Sequence, residues 1–348
     1  MSAWPTAPKT ALLLAADGTK IYGHGFGATG HTLGEVCFNT AMSGYQEIIT
    51  DPSYAGQIVA FTFPHIGNVG VNPADVETSN TNRAEAAQGI IVRERVSDPS
   101  NFRAQSHLSD WLAAQQIIGI SGVDTRAITS RIRDQGMFNA VLAHAPDGQF
   151  DEAALAAALE DFVGLEGADL AGRVTSAENY DWAQGRWHWP EGFSEKPSRH
   201  HVVALDFGIK KNILRCLASV GCRVTVVPAT TAASDIMALE PDGIFLSNGP
   251  GDPAATGAYA VAQIRALVDS GLPVFGICLG HQMLALALGA QTQKMKQGHH
   301  GANHPVKDIQ SGKVEITSMN HGFTVDRETL PDTVAETHVS LFDGTTCG

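Results

Sequence analysis

The sequence predicts an α/β protein in two domains: a mixed, β-rich α+β domain, then a domain built on a mainly parallel sheet flanked by helices. Three observations carry this. At 348 residues the chain exceeds the size at which one core usually stays undivided. Beyond about residue 200, short apolar runs alternate with helical patterns over short loops, as parallel strands with helical crossovers do. Three of those runs end in glycine-rich turns, at the carboxyl ends where open α/β sheets gather ligands.

In residues 1–150 the first element is a strand from Ala11 to Ala16, closed by the turn Asp17-Gly18. Extended segments follow at GEVCFNT, GQIVAFTF and GIIVRERV, separated by turn-dense stretches at 43–54 and 64–73. Helical patterns lie at HLSDWLAAQQ and TRAITSRIRDQG, the second stopped by Gly136. Residues 151–200 read as a linker: an Ala-rich helix, the aromatic stretch NYDWAQGRWHWPEGF and the polar run SEKPSRH. Residues 201–348 form the second domain: strand HVVALDF, helix KKNILRCLASVG, strand RVTVVP, strand DGIFLSNG, helix YAVAQIRALVDSG, strand PVFGI and helix HQMLALALG.

Composition narrows the function. Hydrophobic residues make up 43% and charged residues 17%, ample for ordinary soluble cores. A net charge of -13, with no run of Lys or Arg, speaks against nucleic acid and anionic membranes as partners. No apolar stretch reaches bilayer-spanning length, and MSAWPTAPKT lacks the layout of a secretory signal, so a cytoplasmic protein is expected. The five cysteines, Cys37, Cys216, Cys222, Cys278 and Cys347, show neither zinc-ligand spacing nor a disulfide framework. Free thiols and no metal site are expected.

The segments ALDFG, SNGPGDP and FGICLG each follow a strand, which places Gly249, Gly251 and Cys278 at one crevice. Cys278 stands in a G-x-C-x-G strand-to-helix turn, where small residues on both sides let the chain bend and expose the side chain. Unpaired N–H groups at the start of the next helix favour a thiolate, so a lowered Cys278 pKa is expected. Those N–H groups, with those of the Gly249-Pro250-Gly251 turn, could receive an oxyanion, and the chemistry indicated is acyl transfer through a thioester. Against this stands the reading of Cys278 as a small buried hydrophobe, the commoner fate of a free cysteine.

Other signals weigh less. GFGATG at 25–30 is followed by a strand-like segment and reads as turn glycines, not a dinucleotide loop. Asp206-Phe207-Gly208 reads as a strand-end turn. His299, His300 and His304 read as neutral histidines of a polar loop. Trp182, Trp187 and Trp189 read as linker residues packed on a domain face.

FGICLGHQ, with SNGPGDP and MNHGF at 319–323, resembles the class I glutamine amidotransferases. The first half resembles the amino-terminal domain of carbamoyl phosphate synthetase small chains, through GEVCFNTAMSGYQEIITDPSYAGQIVAFTFPHIGNVGVN and GVDTRAIT. LDFGIKKNILR and GHHGANHPV extend the likeness, which runs in order from about Ala11 to the last residue. It implies an amidotransferase fold for the second domain and glutaminase activity, with Cys278 attacking the side-chain amide of L-glutamine. The N–H groups of Leu279 and Gly251 would lie near the oxyanion. Glutamine would be held by Ser53, Gly249, Gly251, Leu279, Gln282, Asn320, Gly322 and Phe323, with Ser53 reaching in from the other domain.

The resemblance further implies that the first domain docks a large synthetase subunit. That partner would bind ATP and magnesium, take up the ammonia and make carbamoyl phosphate for arginine and pyrimidine synthesis. This chain itself would need no cofactor. The family's base and its orienting carboxylate come from a His-Pro-Glu motif, yet none of the fourteen histidines here is followed two places on by Glu or Asp. His304-Pro305 continues with Val306, and His281, next but two to Cys278, is expected to point away. The expectation is a truncated copy of an active subunit, the second domain being incomplete at its carboxyl end. The alternatives are a non-hydrolysing scaffold or regulatory subunit, and the amidotransferase of another synthase.

Overall fold

The computed structural model describes residues 8–78 and 86–348. The first seven residues, read above for a secretory signal, lie outside the described residues. Two compact units emerge. One holds Met1–Ile49, Gly56–Val76 and Ala87–Gly164; the other holds Thr50–Ala55, Glu77–Ala86 and Leu165–Gly348.

The first unit contains β1 (Ala11–Ala15), β2 (Lys20–Gly27), β3 (Gly30–Asn39), α1 (Tyr45–Ile49), β4 (Gln57–Phe61) and β5 (Gly89–Ile91). After these come α2 (Leu108–Ala114), β6 (Ile118–Ser121), α3 (Thr125–Gln135), β7 (Phe138–His144) and α4 (Glu152–Glu160). Its strands close a barrel in the order β1-β2-β6-β5-β4-β3-β7, which leaves no open edge. Alternate residues of these strands, among them Leu13, Val36, Ile58, Ile91, Ile120 and Leu142, fill the interior together with Ile128 and Ile132 of α3. Asp124 caps α3 by accepting from the N–H groups of Arg126 and Ala127, and Gly136 ends it at φ 100°.

Among the glycines of GFGATG, Gly25 departs from its reading as a turn residue, whereas Gly27 and Gly30 flank the bend between β2 and β3 at φ 72° and 111°. Gly25 sits inside β2 opposite Ile120, Gly27 ends β2, and Gly30 opens β3. Glycine suits this strand because a Cβ on Gly25 would stand 2.0 Å from the His144 ring.

The second unit adds α5 (Ala171–Val174), β8 (Tyr180–Trp182), β9 (Gln184–His188), β10 (Gly192–Glu195), β11 (His200–Asp206), α6 (Lys211–Ser219) and β12 (Cys222–Pro228). Next are α7 (Ala233–Met237), β13 (Gly243–Leu246), α8 (Pro253–Asp269), β14 (Val274–Gly276) and α9 (Leu279–Ala287). Last come β15 (Gln291–Asp308), β16 (Val314–Asp326) and β17 (His338–Ser340). A five-stranded sheet runs β14-β13-β11-β12-β8, parallel except for β8, which pairs antiparallel with β12. Its two faces are covered by different helices. Val203 and Leu205 point to a core with Ile264, Leu267 and Met283 of α8 and α9, while Ala204 points to one with Leu214 of α6.

Trp182 belongs to β8 and packs into the second of those cores, whereas Trp189 is 67% exposed. Trp187, at 37%, is exposed as well, so the expectation that all three tryptophans pack holds for Trp182 and fails for Trp187 and Trp189. A separate sheet, β16-β15-β17, carries His299, His300 and His304 on its long strand β15, where all three are buried. This corrects their placement in a polar loop. Among the described residues no helix is long and apolar enough to cross a membrane.

Candidate active site

Cys278 joins β14 to α9 and occupies the cap position of that helix at φ 54°, ψ −112°. A non-glycine residue held there stores about 1–3 kcal/mol of backbone strain. The bend depends on its glycines: a Cβ on Gly280 would stand 2.1 Å from the carbonyl oxygen of Leu246, and one on Gly276 would stand 2.5 Å from the carbonyl carbon of Gly280. No larger residue fits either place. The elbow thus presses α9 against the ends of β13 and β14 and leaves the cysteine half-buried at the strand terminus.

The sulfur is surrounded by polar groups. The Cys278 Sγ–H donates to the backbone carbonyl of Asn320 on β16 at 3.2 Å, and the N–H groups of Leu279 and Gly249 face the sulfur. Gly249 can lie this close because it lacks a side chain: a Cβ there would stand 2.0 Å from the Phe207 carbonyl oxygen. The Gly249 N–H acts on the sulfur to lower its pKa, and Gly251, expected with Leu279 near the oxyanion, follows two places on at φ 91°.

The expected acidity of Cys278 is overturned. Burial of the thiol, and then the nearby Asp51 carboxylate, push its pKa up to about 11, against the opposing pull of the two N–H groups and of Lys210. Helix-start N–H groups are weak, partial charges, and here desolvation of a full thiolate charge outweighs them.

Asp51 organises one side of the site. It caps the 3₁₀ turn Pro52–Tyr54 by accepting from the Ser53 N–H at 2.9 Å. Its other oxygen lies 3.3 Å from Lys210 Nζ and accepts from Asn320 Nδ2 at 3.3 Å. The Asp51 charge, with Glu77 behind it, raises the Lys210 pKa. The Asn320 side chain is held at both ends, since its Oδ1 also accepts from His300 Nδ1 at 2.8 Å. Ser53 accepts from Asn248 Nδ2 at 3.0 Å, and Asn248 Nδ2 also reaches the carbonyl of Gly208.

Gln282 and Phe323 meet directly: Gln282 Nε2 donates to the Phe323 carbonyl at 2.7 Å. Asn320, Gly322 and Phe323 lie within four consecutive residues of β16, a strand that faces the elbow through Asn320. Ser53 had been expected from the other domain, yet its segment Thr50–Ala55 is part of the second compact unit. All residues expected at the site therefore share one unit.

Residues 13–142 match the family described as carbamoyl-phosphate synthase small chain, CPSase domain, and residues 203–348 match glutamine amidotransferase class-I. The carbamoyl phosphate synthase small chain of Bradyrhizobium diazoefficiens is 61% identical over 347 residues, which cover 99% of this chain and 88% of that protein. That of Ruegeria pomeroyi is 62% identical over 346 residues, again 99% of this chain and 88% of that protein. The chain belongs to the carbamoyl phosphate synthase small chain family.

In this family member, sequence reading found the elbow and the glycine turns but missed Asp51, Lys210, Asn248 and His300. Lys210 was within reach of the strand-end rule, standing four residues after Asp206 at the end of β11. Asp51 carried only the signal of a cap before Pro-Ser. Asn248 lies inside the quoted SNGPGDP turn, but its bond to Ser53 spans 195 residues of sequence. His300 could be assigned only once β15 and β16 were paired, since it stands opposite Asn320 in that ladder.

Proposed function

We propose that this chain is the glutamine-hydrolysing subunit of a carbamoyl phosphate synthase. Cys278 Sγ attacks the γ-carboxamide carbon of L-glutamine, the C–N bond breaks, and the thiol proton leaves on the departing ammonia. Water then cleaves the thioester to give glutamate and return the thiol. The observation that supports this most is the strained elbow at Cys278, with the backbone N–H groups of Leu279 and Gly249 beside it, in reach of the carbonyl oxygen on which negative charge develops when the sulfur attacks. Family membership supplies the substrate class.

Because burial holds the resting thiol neutral, the nucleophile forms as its proton is removed, with glutamine in place. Ser53, Gly249, Gly251, Leu279, Gln282, Asn320, Gly322 and Phe323 line the substrate's place on this reading. Ammonia is a nucleophile only while unprotonated, so it passes directly to a large synthetase subunit that binds ATP and magnesium, and this chain needs no cofactor. The carbamoyl phosphate made there feeds arginine and pyrimidine synthesis in the cytoplasm.

An electrophilic glutamine analogue tests the first half: modification of Cys278, blocked by L-glutamine, is expected, and an inert Cys278 in the assembled enzyme would instead favour a scaffold. Co-purification with a large synthetase chain tests the second half. A chain that stays alone in its presence would count against the assignment.

A further inference from the structure

Behind the strand that carries Asn320 and Phe323 lies a row of side chains with no role in the reading above. Cross-strand pairing puts His299 of β15 directly opposite His321 of β16, with the rings edge to face at 4.9 Å. His299 Nδ1 lies 3.2 Å from His321 Nε2, His299 Nε2 lies 2.8 Å from Asp343 Oδ2, and His321 Nδ1 lies 2.8 Å from the Phe323 carbonyl. That carbonyl also accepts from Gln282 Nε2. An unbroken chain of hydrogen bonds thus runs from Asp343 to Gln282.

Counting protons along it gives a definite result. A carbonyl only accepts, so His321 Nδ1 carries hydrogen. Asp343 Oδ1 already accepts from both the N–H and the hydroxyl of Thr345, as an ionised carboxylate would, so His299 Nε2 carries hydrogen as well. One further proton lies between His299 Nδ1 and His321 Nε2. Three protons on four ring nitrogens make one net positive charge.

We propose that His299 and His321 together hold this extra proton as a buried imidazolium neutralised by Asp343, and that the pair acts as a positioning device for the Phe323 carbonyl and Gln282. The last clause rests on the glutaminase reading; the proton count does not. The groups facing His299 agree with it. From β16 comes His321, which burial first and then the neighbouring His299 push down to about 3. From β15 come His300 and His304, both pushed down to about 4 by burial and by His299, hence neutral. From the turn after β17 comes Asp343, where burial acts upward but the Thr345 bonds and His299 bring the carboxyl below its ordinary value. Asp343 is the sole anion in this set, and a buried cation of this kind is held only while its counter-charge stays.

The test is a long-range proton–nitrogen spectrum of the full chain labelled with nitrogen-15 histidine, recorded in mildly alkaline buffer. One imidazolium pattern is expected in the wild type and should vanish in Asp343→Asn. Only neutral rings in the wild type in that buffer would overturn the proposal, whatever the variant does. For positioning, exchange of the Gln282 side-chain amide protons with water should speed up about tenfold in Asp343→Asn, and L-glutamine should bind about tenfold more weakly by calorimetry. Unchanged amide exchange would overturn the positioning role. A wild type that shows the imidazolium but does not bind glutamine would overturn the substrate reading and leave the proton count standing.

Discussion

Lys210 Nζ lies 3.3 Å from Asp51 Oδ2, and the two charges act on Cys278 in opposite directions. Asp51 raises the thiol pKa and Lys210 lowers it. Their spacing lets a site poor in solvent hold a full charge pair next to a neutral nucleophile, ready for a change in balance when a substrate displaces water.

Replacing Asp51 by Asn should therefore lower the Cys278 pKa and raise the thiolate fraction. Alkylation of Cys278 by iodoacetamide in mildly alkaline buffer is expected to speed up about three- to tenfold, and Lys210→Met to slow it. Peptide mapping of Cys278 reads the rates. An Asp51→Asn protein alkylated no faster than wild type would contradict the charge assignment.

Backbone strain at Cys278 has its own signature. At an ordinary position glycine is less stabilising than alanine, but at φ 54°, ψ −112° the order should reverse. Cys278→Gly is expected to be more stable than Cys278→Ala by about 1 kcal/mol in thermal or urea unfolding. The reverse order would show that the elbow is not strained.

At Gly249 the space itself is the constraint. Gly249→Ala puts a methyl 2.0 Å from the Phe207 carbonyl oxygen, so the turn must shift and take its N–H away from the sulfur. The stability cost should be about 2 kcal/mol or more, and labelling of Cys278 by a glutamine-like electrophile should fall by at least about tenfold. Normal labelling would mean that this N–H is dispensable.

Acid should loosen the second unit before it affects any carboxylate network. His300 and His304 have folded pKa values near 4 against an ordinary 6.5, so between those values the unfolded chain binds more protons than the folded one. Their contribution is complete above pH 6.5 and is lost as pH falls toward about 4. His304→Gln should flatten the slope of stability against pH across that window by about 1.4 kcal/mol per pH unit, one proton's worth. Equal slopes in denaturant titrations of the two proteins would rule out His304 as a contributor.

The alternation of apolar runs and helices after residue 200, the caps at Asp124 and Gly136, and the glycines around Cys278 are local facts. Each is dictated by neighbours within one turn or strand, so the sequence alone carried the parallel sheet and the elbow. Closure of the first unit into a barrel was not legible, because β2 is glycine-rich, β6 is short, and the partners of β6 and β7 are distant in sequence. The acidity of Cys278 was misjudged for a related reason. Helix-start N–H groups are visible in a motif, whereas desolvation and the Asp51 charge come from residues brought together only by folding. The register of β15 against β16 decided the rest, since bulges between Lys294 and His299 and between Gly301 and His304 determine which histidine faces which partner. A one-residue slip there would turn His299 from Asp343 and break the chain of donors, a difference that no spacing of residues along the chain can express.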